Sequence, residues 1–436
     1  MTRSRTIARA GLIVTAAFLL SRLLGWVRVL VLSSLFGAGR ELDAFNTAFR
    51  IPDLIFQLVA AGALGSSLIP VVAGLLVGGE RSRAWRVVST VTNLMLLAFA
   101  LLAAALGVLA PQLVAWIAPA FDADQAAETV VLTRIMLASP ILLGLGAVAT
   151  SVLNAEGRFA AAAVAPVLYN LTIIGAAVIL SPSLGVTGLA VGVAAGSLLN
   201  LLVQLAPLAR LGFRYEAVLA LDDPAARRAL ALMLPRAVGM GAGQITFVVA
   251  TSLASGLGAG AIAVFFNAFT LLQIPIGVIG VPLGTVVFPS MARDLASGAT
   301  RDFLALVTRS LRLLLFVMLP ITGLGIVLRT EIVALLLGYG RYDEAAVALT
   351  ASTLLAFLVG LAAHAAIAVL ARAFYAGQDT VTPVAAAILA VILNSTLAVT
   401  LAGPLGLPGL ALAIAIAAWV EAIVLVAILA RRHPML

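Results

Sequence analysis

The sequence predicts an all-α, polytopic membrane protein of about 12 transmembrane helices, arranged as two parallel six-helix lobes around a central cavity. Three observations predict it. The 436 residues are 63% hydrophobic and only 10% charged, with a mean hydropathy of +1.19, well outside the soluble range. The apolar runs between polar punctuation reach or exceed the ~20 residues that cross a bilayer. Short segments recur about 220 residues apart, an offset of six helices.

In order, the predicted helices span 8–36, 43–77, 87–118, 129–153, 159–181, 186–208, 228–254, 259–291, 303–328, 346–376, 381–402 and 408–430. The first is almost wholly apolar from Ala10 to Phe36, yet carries Arg22 and Arg28. The second holds Pro52 and Pro70, the fourth Pro140, the fifth Pro166 and the seventh Pro235. The eighth holds Pro275, Pro282 and Pro289, the ninth Pro320 and the eleventh Pro383. Each proline lacks an N–H and frees a carbonyl one turn back, so the proline-rich second and eighth helices are expected to bend and line a cavity.

Orientation follows from arginine, the sole basic type apart from two histidines. With the N-terminus inside, 19 arginines fall on the cytoplasmic side. Only Arg40, Arg134, Arg329 and Arg341 fall outside, and Arg22, Arg28 and Arg50 lie within the bilayer. By the positive-inside rule this predicts a multi-pass protein with both termini cytoplasmic.

The repeat is legible in three places. Leu184-Gly185-Val186-Thr187-Gly188-Leu189-Ala190 returns as Leu405-Gly406-Leu407-Pro408-Gly409-Leu410-Ala411. Ala44-Phe45-Asn46-Thr47-Ala48-Phe49 resembles Val264-Phe265-Phe266-Asn267-Ala268-Phe269, and Gly65 and Pro70 return as Gly284 and Pro289. A six-helix offset preserves topology, so the halves are read as parallel repeats. The expected division is an N-terminal lobe at 1–210, a polar, basic cytoplasmic linker at 211–227 and a C-terminal lobe at 228–436.

Composition also excludes chemistry. Without lysine there is no Walker A loop and no Schiff base; without cysteine there is no disulfide, thiolate metal site or thiol nucleophile. His364 and His433 are the only imidazoles, which argues against a zinc hydrolase. No cofactor is expected. The sequence pI near 11.0 is assigned to cytoplasmic loops rather than to nucleic-acid binding.

The residues left to carry function are the intramembrane charges. At about 1.5 Å per residue, Arg22 lies roughly 18 Å into the bilayer, near its midplane. A charge there costs ~2.5–3.5 kcal/mol even on the lenient insertion scale, so it is expected to face a polar cavity between the lobes and something anionic. Arg28, six residues on, is rotated by about 240° and shares no face with Arg22 unless Gly25 permits a bend. It either joins the cavity or snorkels to the outer interface. Arg50 and Asp53 are three apart and able to touch, as a structural pair around Pro52 or as an anion ligand tuned by a carboxylate. A guanidinium fork matches phosphate oxygens, so two or three arginines on one cavity suit a diphosphate. Glu421 is read either as a protonatable site or as a group reaching a polar partner. His364 is read as a hydrogen-bonded core residue, and Asn170, Asn394 and Ser395 as helix–helix bonding groups.

These residues sit in stretches that resemble the MurJ (MviN) lipid II flippase family, within the multidrug/oligosaccharidyl-lipid/polysaccharide exporter superfamily. The matching stretches are Ser21-Arg22-Leu23-Leu24-Gly25-Trp26-Val27-Arg28, Asp43-Ala44-Phe45, Ala48-Phe49-Arg50-Ile51-Pro52-Asp53, Leu271-Leu272-Gln273-Ile274-Pro275-Ile276-Gly277 and Ala371-Arg372-Ala373-Phe374-Tyr375-Ala376-Gly377-Gln378-Asp379-Thr380. The resemblance runs almost the full chain. It implies a transporter rather than an enzyme, in the bacterial cytoplasmic membrane, exporting the undecaprenyl-diphosphate-linked peptidoglycan precursor to the outer leaflet by alternating access. It implies that Arg22, Arg28 and Asp43 match positions important for transport and Arg50 a basic position on the second helix; Asp53, Thr270 and Gln273 complete the set of candidate substrate-binding residues. Lipid II or a similar polyprenyl-diphosphate glycolipid and membrane lipids are the implied partners, with cell-wall and division proteins as further candidates. Two departures stand out. Phe56 and Thr270 occupy places where family members often carry further basic residues, and the chain stops after twelve helices where members commonly have fourteen, as a shortened form or fragment would. The alternatives are an exporter of another polyprenyl-diphosphate sugar or amphiphile, and a non-transporting partner of cell-wall enzymes.

Overall fold

Helix accounts for the secondary structure throughout the described residues. The computed structural model describes the backbone of residues 2–59 and 63–432 and the side chains of 15–57, 68–231 and 243–432. Nine of the described helical segments are long and apolar enough to cross a membrane, or ten when one bent pair counts as a single span. Three predicted spans, 8–36, 43–77 and 228–254, contain residues whose side chains lie outside those described.

By contacts the chain divides into two compact units, Met1–Phe36 with Arg40–Gly241, and Gly37–Gly39 with Ala242–Leu436. The first comprises α1 (Thr2–Phe36), α2 (Arg40–Val59), α3 (Ala63–Val77), α4 (Arg81–Val108), α5 (Ala110–Ile117), α6 (Ala123–Met136), α7 (Ala138–Ala155), α8 (Phe159–Ile179), α9 (Ser181–Leu184), α10 (Thr187–Arg210) and the start of α11 (Pro224–Ser255). The second holds the rest of α11, then α12 (Ala261–Pro275), α13 (Val281–Ala296), α14 (Thr300–Val327), α15 (Arg329–Leu337), α16 (Glu344–Val359), α17 (Leu361–Ala376), α18 (Val381–Leu405) and α19 (Leu407–Arg432). In the first unit α10 packs on α6, α7 and α8, α2 on α6, and α7 on α3 and α4. In the second, α19 packs on α16, α17 and α18, α12 on α16, and α17 on α13 and α14. The same packing scheme therefore appears twice. Its local signals repeat as well. Asp122 caps α6 by accepting the Gln125 N–H at 2.9 Å, and Asp343 caps α16 by accepting the Ala346 N–H at 2.8 Å.

Where the helices break, the cause is local. The predicted span 87–118 is interrupted at Leu109, because Pro111 in the first turn of α5 has no N–H to continue the ladder. The span beginning near 129 instead starts at Ala123, behind its Asp122 cap, and is interrupted at Leu137, three residues before Pro140. After Pro275 the eighth predicted span turns π-helical over Ile276–Gly280. The α16–α17 pair bends by 44° at Gly360, where an added Cβ would lie 2.7 Å from Ala415 Cα. Close packing on α19 admits only glycine there.

The segment between α10 and α11 lies along α4. Glu216 N–H donates to Ser89 Oγ (3.1 Å) and Ala220 N–H to Thr90 Oγ1 (3.1 Å). The Asn93 amide donates to the carbonyls of Glu216 (3.0 Å) and Val218 (2.9 Å) and accepts from Tyr215 Oη at 2.6 Å. Trp85 meets Phe213 edge-on at 5.4 Å between centroids. Arg83 grips Asp223 with two N–H groups, at 2.8 and 3.1 Å, and holds that carboxyl below the usual range.

Candidate functional site

A glycine stripe begins the construction of the site. Gly188, Gly192 and Gly196 recur every four residues on α10, so they form one smooth face. Added Cβ atoms at Gly192 and Gly196 would meet Ala176 Cβ at 2.5 Å and the Tyr169 carbonyl at 2.9 Å, so α8 rides directly on this stripe. From there α8 turns Tyr169 and Asn170 toward α1. Asn170 Nδ2 donates to Pro166 O at 3.0 Å and to Ser21 O, on α1, at 3.4 Å.

Tyr169 meets Arg28. The guanidinium carbon lies 5.9 Å from the Tyr169 ring centroid, and an Arg28 N–H donates to the hydroxyl. The third wall is α2. Arg50 and Asp53, one turn apart around Pro52, interact electrostatically, and Asp53 is within electrostatic reach of Arg28 and Tyr169 as well. Gln57, one further turn along, donates a side-chain hydrogen bond to the Asp53 carboxylate. All four of Arg28, Arg50, Asp53 and Tyr169 are half-buried. α1, α2 and α8 thus bring two guanidiniums and one phenol within electrostatic reach of one carboxylate. A net positive, donor-rich cluster of this kind is built to take an anion.

Other expected positions stand apart. Arg22 is exposed, on a different side of an uninterrupted α1, with its guanidinium carbon 5.3 Å from the Phe18 ring centroid. Gly25 lies inside that continuous helix. Asp43 is 2% exposed in the first turn of α2, where a carboxylate complements the helix dipole, about 15 Å along the axis from Asp53. In the second unit, Thr270 donates to the Phe266 carbonyl of its own helix at 2.8 Å, while Gln273 is exposed. His364 is half-buried with a buried Nε2, and Glu421 is half-buried in α19. Among the described residues no group of three or more His, Cys, Asp or Glu is placed to hold a metal. Reading the sequence missed Tyr169 and Gln57. The available signal was the Gly188–Gly192–Gly196 stripe together with a hydroxyl-bearing aromatic next to Asn170 in an apolar helix.

This arrangement is the fold of a class of membrane transporters. A solved lipid II flippase MurJ in an inward closed conformation superposes with a TM-score of 0.84 at 23% identity, covering 96% of this chain and 87% of that one. An inward-facing multidrug resistance MATE family transporter of the MOP superfamily gives 0.76 at 18% identity, covering 94% of each. Residues 32–436 match the family described as lipid II flippase MurJ. A protein named lipid II flippase MurJ from Burkholderia cenocepacia is 32% identical over 425 residues, 96% of this chain and 82% of its relative. A probable lipid II flippase MurJ from Rhizobium meliloti is 33% identical over 432 residues, 96% and 80% of the two chains. The chain belongs to the lipid II flippase MurJ family.

Proposed function

We propose that the protein is a lipid II flippase, moving the undecaprenyl-diphosphate-linked peptidoglycan precursor from the inner to the outer leaflet by alternating access. It is a transporter, not an enzyme. Family membership supports the substrate. The observation that carries the site is the Arg28–Arg50–Asp53–Tyr169 cluster, set among helices with no other reason to gather charge. The diphosphate is the part of such a substrate that cannot cross hydrocarbon unaided. Arg28 and Arg50 bind it through their forked N–H groups, Tyr169 orients Arg28, and Asp53 tunes both arginines. Arg22 is a further contact along the path. The prenyl tail stays in the bilayer, where its methylenes are already solvated at ~0.8 kcal/mol each.

The protein operates in the bacterial inner membrane with both termini in the cytoplasm, a reading supported by 19 arginines on one side against four on the other. The deciding experiment is depletion rescue. The chain is expressed in a bacterium deprived of its own flippase, and lipid II exposed on the outer surface is measured. Restored exposure and growth are expected. Growth failure with lipid II accumulating inside, despite correct membrane insertion, would overturn the assignment.

A further inference from the structure

The cluster described above contains its own anion. Asp53 lies one helical turn from Arg50 and reaches Arg28 electrostatically, so one carboxylate serves two guanidiniums drawn from two helices. We propose that Asp53 is a resident counter-anion: it occupies Arg28 and Arg50 in the empty protein, yields them to a prenyl-linked diphosphate diester, and takes them back as that diphosphate leaves. This rests on the diphosphate reading of the site.

The physical need is specific to a carrier. A half-buried guanidinium stripped of its anion is strongly unfavourable in a low-dielectric setting, because its desolvation is no longer offset. A carrier passes through its cycle both loaded and empty, so its arginines need an anion in each condition. Asp53 supplies one that never departs. A diphosphate diester carries one negative charge on each phosphorus. With Asp53 in place, the loaded site sets three negative charges against two positive ones. The carboxylate therefore weakens the loaded complex and favours release on the far side.

The geometry gives the displaced carboxylate somewhere to go. Gln57 already donates to it from one turn further along α2. Tyr169 keeps Arg28 aimed at the same place without help from Asp53, since the hydroxyl and the ring both contact that guanidinium. Asp53 can thus yield the arginines without the site losing its shape. A carboxylate that only stabilised α2 around Pro52 would have no reason to reach a second arginine on another helix.

The test uses the full chain in nanodiscs, with farnesyl-diphosphoryl-N-acetylglucosamine as the probe, and proteoliposomes for flux. Asp53→Asn and Asp53→Ser remove the charge, and either one that folds carries the test. Each should bind the probe at least ~tenfold tighter, since one like charge removed at ~4 Å and an effective dielectric of ~20 corresponds to as much as about a thousandfold. Turnover should fall by a comparable factor, and Asp53→Glu should recover part of the lost flux. In the unmodified protein, infrared difference spectra on probe saturation should show a shifted carboxylate band. Unchanged or weaker binding by the folded charge-free variants, or no carboxylate change on saturation, would overturn the counter-anion role. If Arg28→Ala and Arg50→Ala bind the probe as tightly as the unmodified chain, the diphosphate site itself is wrong. If those two lose binding while Asp53→Asn binds as before, only the present inference fails.

Discussion

Asn93 is the best place to perturb the segment laid along α4, because one side chain makes three hydrogen bonds there. Its amide donates to the carbonyls of Glu216 and Val218 and accepts from Tyr215 Oη. Asn93→Ala removes all three at once while keeping the helix propensity of α4. Each such bond contributes about 0.5–1.5 kcal/mol net. Tyr215 is 56% exposed and can turn to water, so its bond counts at the low end and the total comes to roughly 2 kcal/mol. That loss is local. The Arg83–Asp223 grip and the Trp85–Phe213 contact still hold the ends of the segment, so global stability should move little. Hydrogen exchange is the appropriate assay, since the Glu216 and Ala220 amides are bonded to α4 side chains and exchange only when the segment lifts. Their exchange should accelerate by about 30-fold at 25 °C, with α4 itself unchanged. Unaltered protection at both amides would refute the claim that Asn93 pins the segment. Loss of protection throughout α4 would show that the effect is not local.

Three further outcomes are expected. Arg28→Ala and Arg22→Ala should each abolish rescue of a flippase-depleted strain at normal expression, with lysine restoring only part because it lacks the planar fork; full rescue by the alanine variants would remove them from the substrate path. Gly196→Ala places a Cβ 2.9 Å from the Tyr169 carbonyl, so it should destabilise the protein by about 1–3 kcal/mol in thermal unfolding and weaken diphosphate binding by shifting α8; a neutral result would show that α8 does not need the glycine stripe. Asp379 accepts from Thr382 N–H and Oγ1 (2.9 and 2.5 Å) and from Arg432 (2.5 Å), which holds its carboxyl down at about 2 against an ordinary 3.8. A depressed carboxylate stabilises the fold fully above its unfolded pKa and loses that contribution as pH falls toward its folded one. Arg432→Ala should therefore narrow the stability difference between pH 5 and pH 2, roughly the interval in which such a group titrates, and an identical acid profile would refute the pairing.

The sequence by itself determined what depends on the bilayer and on spacing. Hydropathy and length placed the spanning segments, because a chain this apolar has no other stable solvent and each span must satisfy its own backbone. The recurrence near 220 residues announced a duplicated packing scheme, and both units carry it down to the Asp122 and Asp343 caps. Arg50 and Asp53 were legible as a pair because three residues on one helix fix their proximity. Tertiary structure alone decided which charges meet. Periodicity said that Arg22 and Arg28 point apart, but not which of them would find α2 and α8. That choice fell to the Gly188–Gly192–Gly196 stripe, which lets α8 settle deeply on α10 and so presents Tyr169 to Arg28. The breaks at Leu109, Leu137 and Gly360 divide similarly. The first two follow from nearby prolines and could be read locally. At the third, Ala415, a neighbour 55 residues away in the chain, approaches so closely that only glycine fits, and no local pattern contains that contact.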